Sequence, residues 1–190
     1  MSSNDILTLL REKTAPLHQK LDEDGVGQLI KQGTFNTEHY HSWLLVTHQI
    51  NAFLYSEKEH FKDSPFYKYL SGDLGLRYIQ EDHRDSDDLY QTVSGVVDRS
   101  FHDHMDYMVA VAYTFLGSTL GSAYILKYVQ KDIPEASTRF LEFMVQQIKN
   151  WKLFKSELQE YDFTVEPDQI SEYGRALFKQ ITLLSASMKR

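Results

Sequence analysis

The chain has 190 residues, 42% of them hydrophobic and 25% charged, which is material for one substantial core; it has no cysteine, which excludes thiol nucleophiles, disulfides and thiolate metal sites. A formal net charge of -7, without a Lys/Arg cluster of the kind phosphate binding needs, argues against a nucleic-acid partner. No run approaches the roughly 18 uninterrupted apolar residues of a membrane span, and charges fall in "MSSNDILTLLREK" where a signal peptide needs an apolar region, so a single cytoplasmic domain over 1–190 is expected.

Four prolines and nine glycines interrupt the chain, and helical spacing dominates between them, which predicts an all-α bundle. A first helix is expected over about 4–22, with Ile6, Leu10, Leu17 and Leu21 on one stripe and a Gly25/Gly27 turn ending it. A second is expected over about 37–61, capped by Asn36 or Thr37. Shorter helices should follow Pro65 and surround the charged connection "YIQEDHRDSDDLY". The stretch "AYTFLGSTLGSAYILKYV", residues 112–129, reads as a buried helix. Pro134 and Pro167 stand where the first turns of two more helices would begin, over about 134–160 and 167–187.

The helix over 112–129 is bare at its centre. Gly117 and Gly121 are neighbours one turn apart, as are Ser118 and Ser122, so the four make a broad low surface. Glycine inside a helix costs roughly 1 kcal/mol relative to alanine, so either another backbone crosses there or something flat lies against the bare face. On the first helix, "LREKTAPLHQKLD" puts Arg11, Thr14 and His18 on one face, from which the imidazole could ligate a metal or simply complete a boundary. Near the C-terminus, "YGRALFKQI" places Arg175 and Lys179 one turn apart, as carboxylate partners or as a solvated stripe.

Together these segments resemble the haem oxygenases, particularly the short bacterial type. "LREKTAPLHQKLD" is similar to the segment carrying the family's proximal histidine, "AYTFLGSTLGSAYI" to its glycine-rich distal helix, and "NWKLFKSEL" and "GRALFKQI" to its late helices. The resemblance implies a haem oxygenase-like bundle with haem between the first helix and a kinked, glycine-rich distal helix. His18 would be the axial iron ligand, and Arg11, Thr14, Ser122, Arg175 and Lys179 would hold the macrocycle. Gly117, Ser118 and Gly121 would form the distal surface where dioxygen meets the ring. The implied reaction cleaves haem, at once substrate and cofactor, with dioxygen and electrons from an external ferredoxin or reductase, giving biliverdin, iron and carbon monoxide. Animal-type members carry a carboxylate after the first distal glycine; this chain has Ser118 there, and no Asp or Glu between Tyr107 and Lys131.

Two alternatives remain at this stage. A non-catalytic haem-binding protein would keep His18 and the cations without turnover. A non-haem di-iron oxidase on the same bundle would draw on Asp98, His102 and Asp106 in "DRSFHDHMD", with His41 and His48 as partners from another helix.

Overall fold

The structure is a computed structural model, and it describes residues 3–23, 25–70, 72–83 and 97–187. Within them the regular structure is helical: α1 (Ser3–Glu23), α2 (Val26–Gln32), α3 (Thr37–Lys58), α4 (Leu76–Asp82), α5 (Tyr107–Asp132), α6 (Arg139–Gln146), α7 (Ile148–Glu157) and α8 (Pro167–Ser187), with short 3-10 turns between. The part of "YIQEDHRDSDDLY" from residue 84 onward lies outside the described residues.

Helix α5 is the axis of the bundle. Residues 107–112 are all buried, as expected of a helix that is apolar all round, and its later turns keep Ile125 and Val129 inside. Helical hydrogen bonding runs unbroken through the four small residues at its centre. By length and composition α5 could also cross a membrane, with a mean hydropathy of 1.5 over its most apolar 18 residues, but half of that window is buried in the fold. Its apolar surface is used against α6, α7 and α8.

Helix α1 packs chiefly on α8. Ile6 and Leu10 are buried, as the expected stripe requires, but the next buried position is Thr14, whose hydroxyl donates to the Leu10 carbonyl at 2.7 Å. Pro16 lies inside the helix, so the Glu12 carbonyl, six residues before His18, loses its usual N–H partner. The close approach to α8 occurs at Gly174: a Cβ built there would lie 2.5 Å from Leu10 Cδ2, so the missing side chain is what admits Leu10.

Three boundaries depart from the sequence expectation. The turn after α1 contains a helix of its own, α2, closed by Gly33 at φ 67° in the left-handed region. The helix expected from Pro134 begins only at Arg139, and it breaks at Gln147 into α6 and α7. The late start has a tertiary cause: Asp82, at the end of α4, accepts hydrogen bonds from the Arg139 and Phe140 amides at 3.2 and 2.9 Å and from the Ser137 hydroxyl. A carboxylate from another helix thus does the work of an N-cap. The α3 cap is local, as expected, with the Asn36 side chain accepting from the His39 amide at 3.0 Å.

Two buried carboxylates tie the remaining connections to α5. Glu57 accepts from the Tyr107 phenol at 2.8 Å and pairs with His102 at 3.0 Å, while Asp106 accepts from the Thr164 amide and hydroxyl and the Val165 amide. Burial, and then the Glu57 charge, push the Tyr107 phenol far above its ordinary range, so it remains a donor.

The α1–α8 contact is tested by Gly174→Ala. Overpacking typically costs about 1–3 kcal/mol, and alanine returns only about 1 kcal/mol in helix propensity. The variant should therefore unfold at lower urea than the parent, and shortening Leu10 in the double variant Leu10→Ala/Gly174→Ala should recover part of the loss as a favourable coupling in a double-mutant cycle.

Candidate functional site

With Leu10 and Thr14 turned inward against α8, the adjoining flank of α1 carries Arg11, Ala15, His18 and Gln19, and this flank lines a cavity of about 790 Å³. Facing it on α5 are Tyr113, Thr114, Gly117 and Leu120; α2 adds Gln28 and Lys31, α7 adds Trp151, and α8 adds Phe178. A second cavity of about 310 Å³ shares His18, Thr114 and Phe178 with the first. It runs inward between Ser118, Gly121 and Ser122 of α5 and Trp43, Val46, Thr47, Ile50 and Asn51 of α3. Volumes of this order suit a small organic ligand.

The question raised by the bare helix has a geometric answer. A Cβ placed on Gly117 or Gly121 would meet no atom within 4 Å, so no helix crosses there. The glycines border the two cavities, which share His18 on α1. The contrast with Gly174, where a Cβ would collide, separates a glycine that admits a neighbour from glycines that keep a space open.

The polar groups are unevenly distributed. Ser118 donates to the Phe115 carbonyl at 2.7 Å, Ser122 to the Ser118 carbonyl at 3.1 Å and Thr114 to the Ala110 carbonyl at 2.8 Å, so these hydroxyl protons are aimed back along α5 and the oxygens keep lone pairs for a further partner. The larger cavity carries two exposed cations, Arg11 and Lys31, neither in an ion pair among the described residues. Burial pushes the Tyr113 phenol up, while hydrogen bonding with Thr14 and the Arg11 charge act in the opposite direction. The His18 ring stands against Phe178 with centroids 4.2 Å apart, which holds the imidazole at the junction of the two cavities.

Of the residues singled out in the sequence, Arg11, His18 and Gly117 line the larger cavity and His18, Ser118, Gly121 and Ser122 the smaller. Thr14 is buried beneath them. Arg175 and Lys179 are exposed on α8 and line neither cavity; the Arg175 Nε donates to Glu172 at 2.6 Å. Sequence reasoning missed Lys31, Gln28 and Trp151. Lys31 and Gln28 depend on α2, a helix hidden in a glycine-bounded turn, and the only available hint for Trp151 was an aromatic flanked by lysines in "IKNWKLFK".

The five residues considered for a di-iron site do not converge. Asp98 caps Ser100, His102 pairs with Glu57, Asp106 holds the 164–165 backbone, His41 packs on His83, and buried His48 has its imidazole pushed below the ordinary range by desolvation. Among the described residues no group of three or more His, Asp or Glu side chains is placed to hold a metal ion. What the cleft offers instead is one imidazole, a bare floor, an apolar inner end and cations at the outer end. Those features fit a flat metal macrocycle bearing carboxylates.

A family model described as heme oxygenase matches residues 4–179, from the start of α1 into α8. No curated protein and no solved structure matches the chain.

If the bare floor faces open space, Gly117→Ala and Gly121→Ala should each raise the urea midpoint of the ligand-free protein, by up to about 1 kcal/mol of helix propensity. Lowered midpoints in both variants would mean that packing, not vacancy, surrounds these positions.

Proposed function

Because the chain belongs to the haem oxygenase family, we propose that it cleaves haem with dioxygen and externally supplied electrons to biliverdin, iron and carbon monoxide. The observation that carries the proposal is the open space over Gly117 and Gly121, bordering the same cleft as His18. In this reading His18 offers a neutral ring nitrogen to the haem iron, with Phe178 limiting rotation of the imidazole. Haem so held supplies both the metal at which dioxygen is reduced and the ring carbon that is oxidised.

The chain's own task is then orientation and hydration. Arg11 and Lys31 are proposed to meet the propionates at the outer cavity, with Thr14 setting the Tyr113 phenol beside Arg11. Arg175 and Lys179 serve as a second carboxylate pair only if Arg175 exchanges Glu172 for a propionate. Glycine at 117 and 121 leaves space on this side of the cleft, and a Ser118 or Ser122 oxygen, its proton already donated to the helix, would accept one hydrogen of a water whose second hydrogen points into the cleft. This water replaces the carboxylate that α5 lacks between Tyr107 and Lys131.

That lack favours one competing reading, a haem-binding protein without turnover. The two readings separate on reduction: the oxygenase converts bound hemin to biliverdin with ascorbate or a ferredoxin system, and the binding protein leaves the Soret band in place.

Hemin should bind one-to-one with a shifted, sharpened Soret band. His18→Ala should lose the imidazole-ligated spectrum and regain it with free imidazole; resonance Raman showing unchanged axial ligation would remove His18 from the site. Arg11→Ala and Lys31→Ala should each weaken hemin by no more than about fivefold, because exposed ion pairs contribute about 0–1 kcal/mol, yet should change the biliverdin isomers released. If only Arg175→Ala and Lys179→Ala change the isomers, the propionates lie on α8.

Ser118→Ala should keep hemin binding and slow conversion to biliverdin by about 10²-fold, the scale of losing one hydrogen-bond donor aimed at developing charge. Stopped-flow absorbance follows both bands, and an unchanged rate would mean that the Ser118 hydroxyl holds no catalytic water.

A further inference from the structure

A cluster of histidines outside the cleft sits where α3 ends and α5 begins. Glu57 lies in the last turn of α3, His60 follows three residues later in the 3-10 turn Glu59–Phe61, and His102 belongs to the 3-10 turn Arg99–Asp103 that leads into α5. The two imidazoles lie together, with ring centroids 4.2 Å apart and planes 22° from parallel. Phe61 and Tyr107 also flank the His102 ring, each with its centroid at 5.9 Å. None of these side chains lines either cavity.

Glu57 decides which nitrogen of His102 is available. Its side chain is only 7% exposed, and its Oε2 accepts from the Tyr107 phenol at 2.8 Å and stands 3.0 Å from His102 Nε2. A carboxylate only accepts, so the shared hydrogen is carried by Nε2, and in the neutral ring the lone pair is then on Nδ1. That atom has no hydrogen-bond partner among the described residues and is not one of their buried unpaired atoms, so it reaches solvent; His60 is exposed. A carboxylate on the far nitrogen is the arrangement that orients an imidazole and strengthens it as a metal ligand. The spacing also suits a shared ion. An ion about 2.0–2.1 Å from one nitrogen of each ring would set the centroids roughly 4.5 Å apart at a right angle and roughly 5.2 Å apart at a tetrahedral one. The observed 4.2 Å is close to the first, and the exposed His60 ring can swing outward at the cost of its stacking contact.

We propose that His60 and His102 Nδ1 together bind one divalent transition-metal ion of the imidazole-preferring class, Zn²⁺, Ni²⁺ or Cu²⁺, with Glu57 holding His102 from behind. Among the described residues no group of three or more ligands converges, so the chain supplies two and water fills the remaining positions. Cu²⁺ binds tightest by its place in the divalent series, while Mg²⁺ and Ca²⁺, which take oxygen ligands, are refused. The ion joins the end of α3 to the start of α5 and stabilises the folded chain by mass action. This site shares no residue with the cleft and does not depend on what the cleft binds.

The test titrates Zn²⁺ into the full-length chain without hemin by isothermal calorimetry at about pH 7.5, where few protons compete with a metal for imidazole. Expected are saturable binding by the parent and binding weaker by about tenfold or more in His60→Ala, in His102→Gln, which keeps a donor for Glu57, and in Glu57→Gln. His18→Ala should bind Zn²⁺ as the parent does. Zn²⁺ should raise the urea midpoint of the parent and not that of His60→Ala, and hemin binding should be the same in both. With one equivalent of Cu²⁺, pulsed electron paramagnetic resonance should count two coordinated imidazoles in the parent and one in His60→Ala. If His102→Gln fails to fold, the exposed His60 position decides. Equal Zn²⁺ affinity in His60→Ala and the parent overturns the assignment, as does absence of saturable Zn²⁺ binding by the parent up to about 1 mM. Loss of Zn²⁺ binding in His18→Ala alone places the ion in the cleft and also overturns it.

Discussion

The packing of Leu10 into the gap left by Gly174 sets where α1 lies on α8, and the cleft inherits its shape from that contact. Once Ile6, Leu10 and Thr14 face α8 and the core, the helical period leaves Arg11, Ala15 and His18 on the flank beside them. The imidazole is then positioned by a packing decision made two turns earlier, at a residue with no chemical role. Phe178, one turn beyond Gly174 on the same helix, finishes the task by standing against the His18 ring. Helix α8 thus acts through α1: it seats the helix that carries the imidazole and supplies the ring against which the imidazole rests.

The same residue type does opposite things in two helices. At Gly174 the absent side chain is replaced by a neighbour's methyl group, and the helix-propensity cost is offset by dense packing. At Gly117 and Gly121 nothing replaces it, so the ligand-free fold carries the cost together with the dispersion contacts that an open, partly apolar cleft forgoes. A ligand that binds only the folded state returns stability by mass action, about 4 kcal/mol at a free concentration a thousand times its dissociation constant. The cleft is therefore a place where stability has been given up locally, and an occupant, or a side chain on the bare face, restores it.

Much of this was legible in the sequence because it depends on local periodicity. The Ile6/Leu10 stripe, the Asn36 cap, the Pro167 start and the bare centre of α5 each follow from residues within two turns of one another. What escaped depends on partners distant in sequence. Arg139 starts α6 because Asp82 supplies a carboxylate from 57 residues away, and no pattern around Pro134 encodes that. Helix α2 was hidden because Gly25 and Gly27 read as a turn, and with it went Lys31. Of the three cations named from the sequence, Arg11 borders the cleft, whereas Arg175 and Lys179 share a face of α8 that lines neither cavity, and a shared face alone does not say what it borders. The meaning of a glycine was equally out of reach, since Gly117 and Gly174 look alike until the space beside each is measured.

The hydroxyls on α5 show how a helix can present oxygen without presenting acid. A serine within a helix commonly returns its proton to a carbonyl one turn back, and Ser118 and Ser122 both do so. The exposed part of each oxygen is then an acceptor, which recruits the hydrogens of water rather than donating its own. A carboxylate at the same position would also accept, but it would bring a charge into a cleft whose inner wall is Trp43, Val46, Ile50 and Ile125, where desolvation raises a carboxyl's pKa and turns it into a proton source. Serine avoids that charge and gives up the titratable proton, so proton donors at the cleft belong to other helices' side chains, such as His18 and Lys31, or to water. Cationic side chains gather at the larger cavity, with Arg11 and Lys31 beside Gln19 and Gln28, while Trp43, Val46, Ile50 and Ile125 stand near Ser118 in the smaller one.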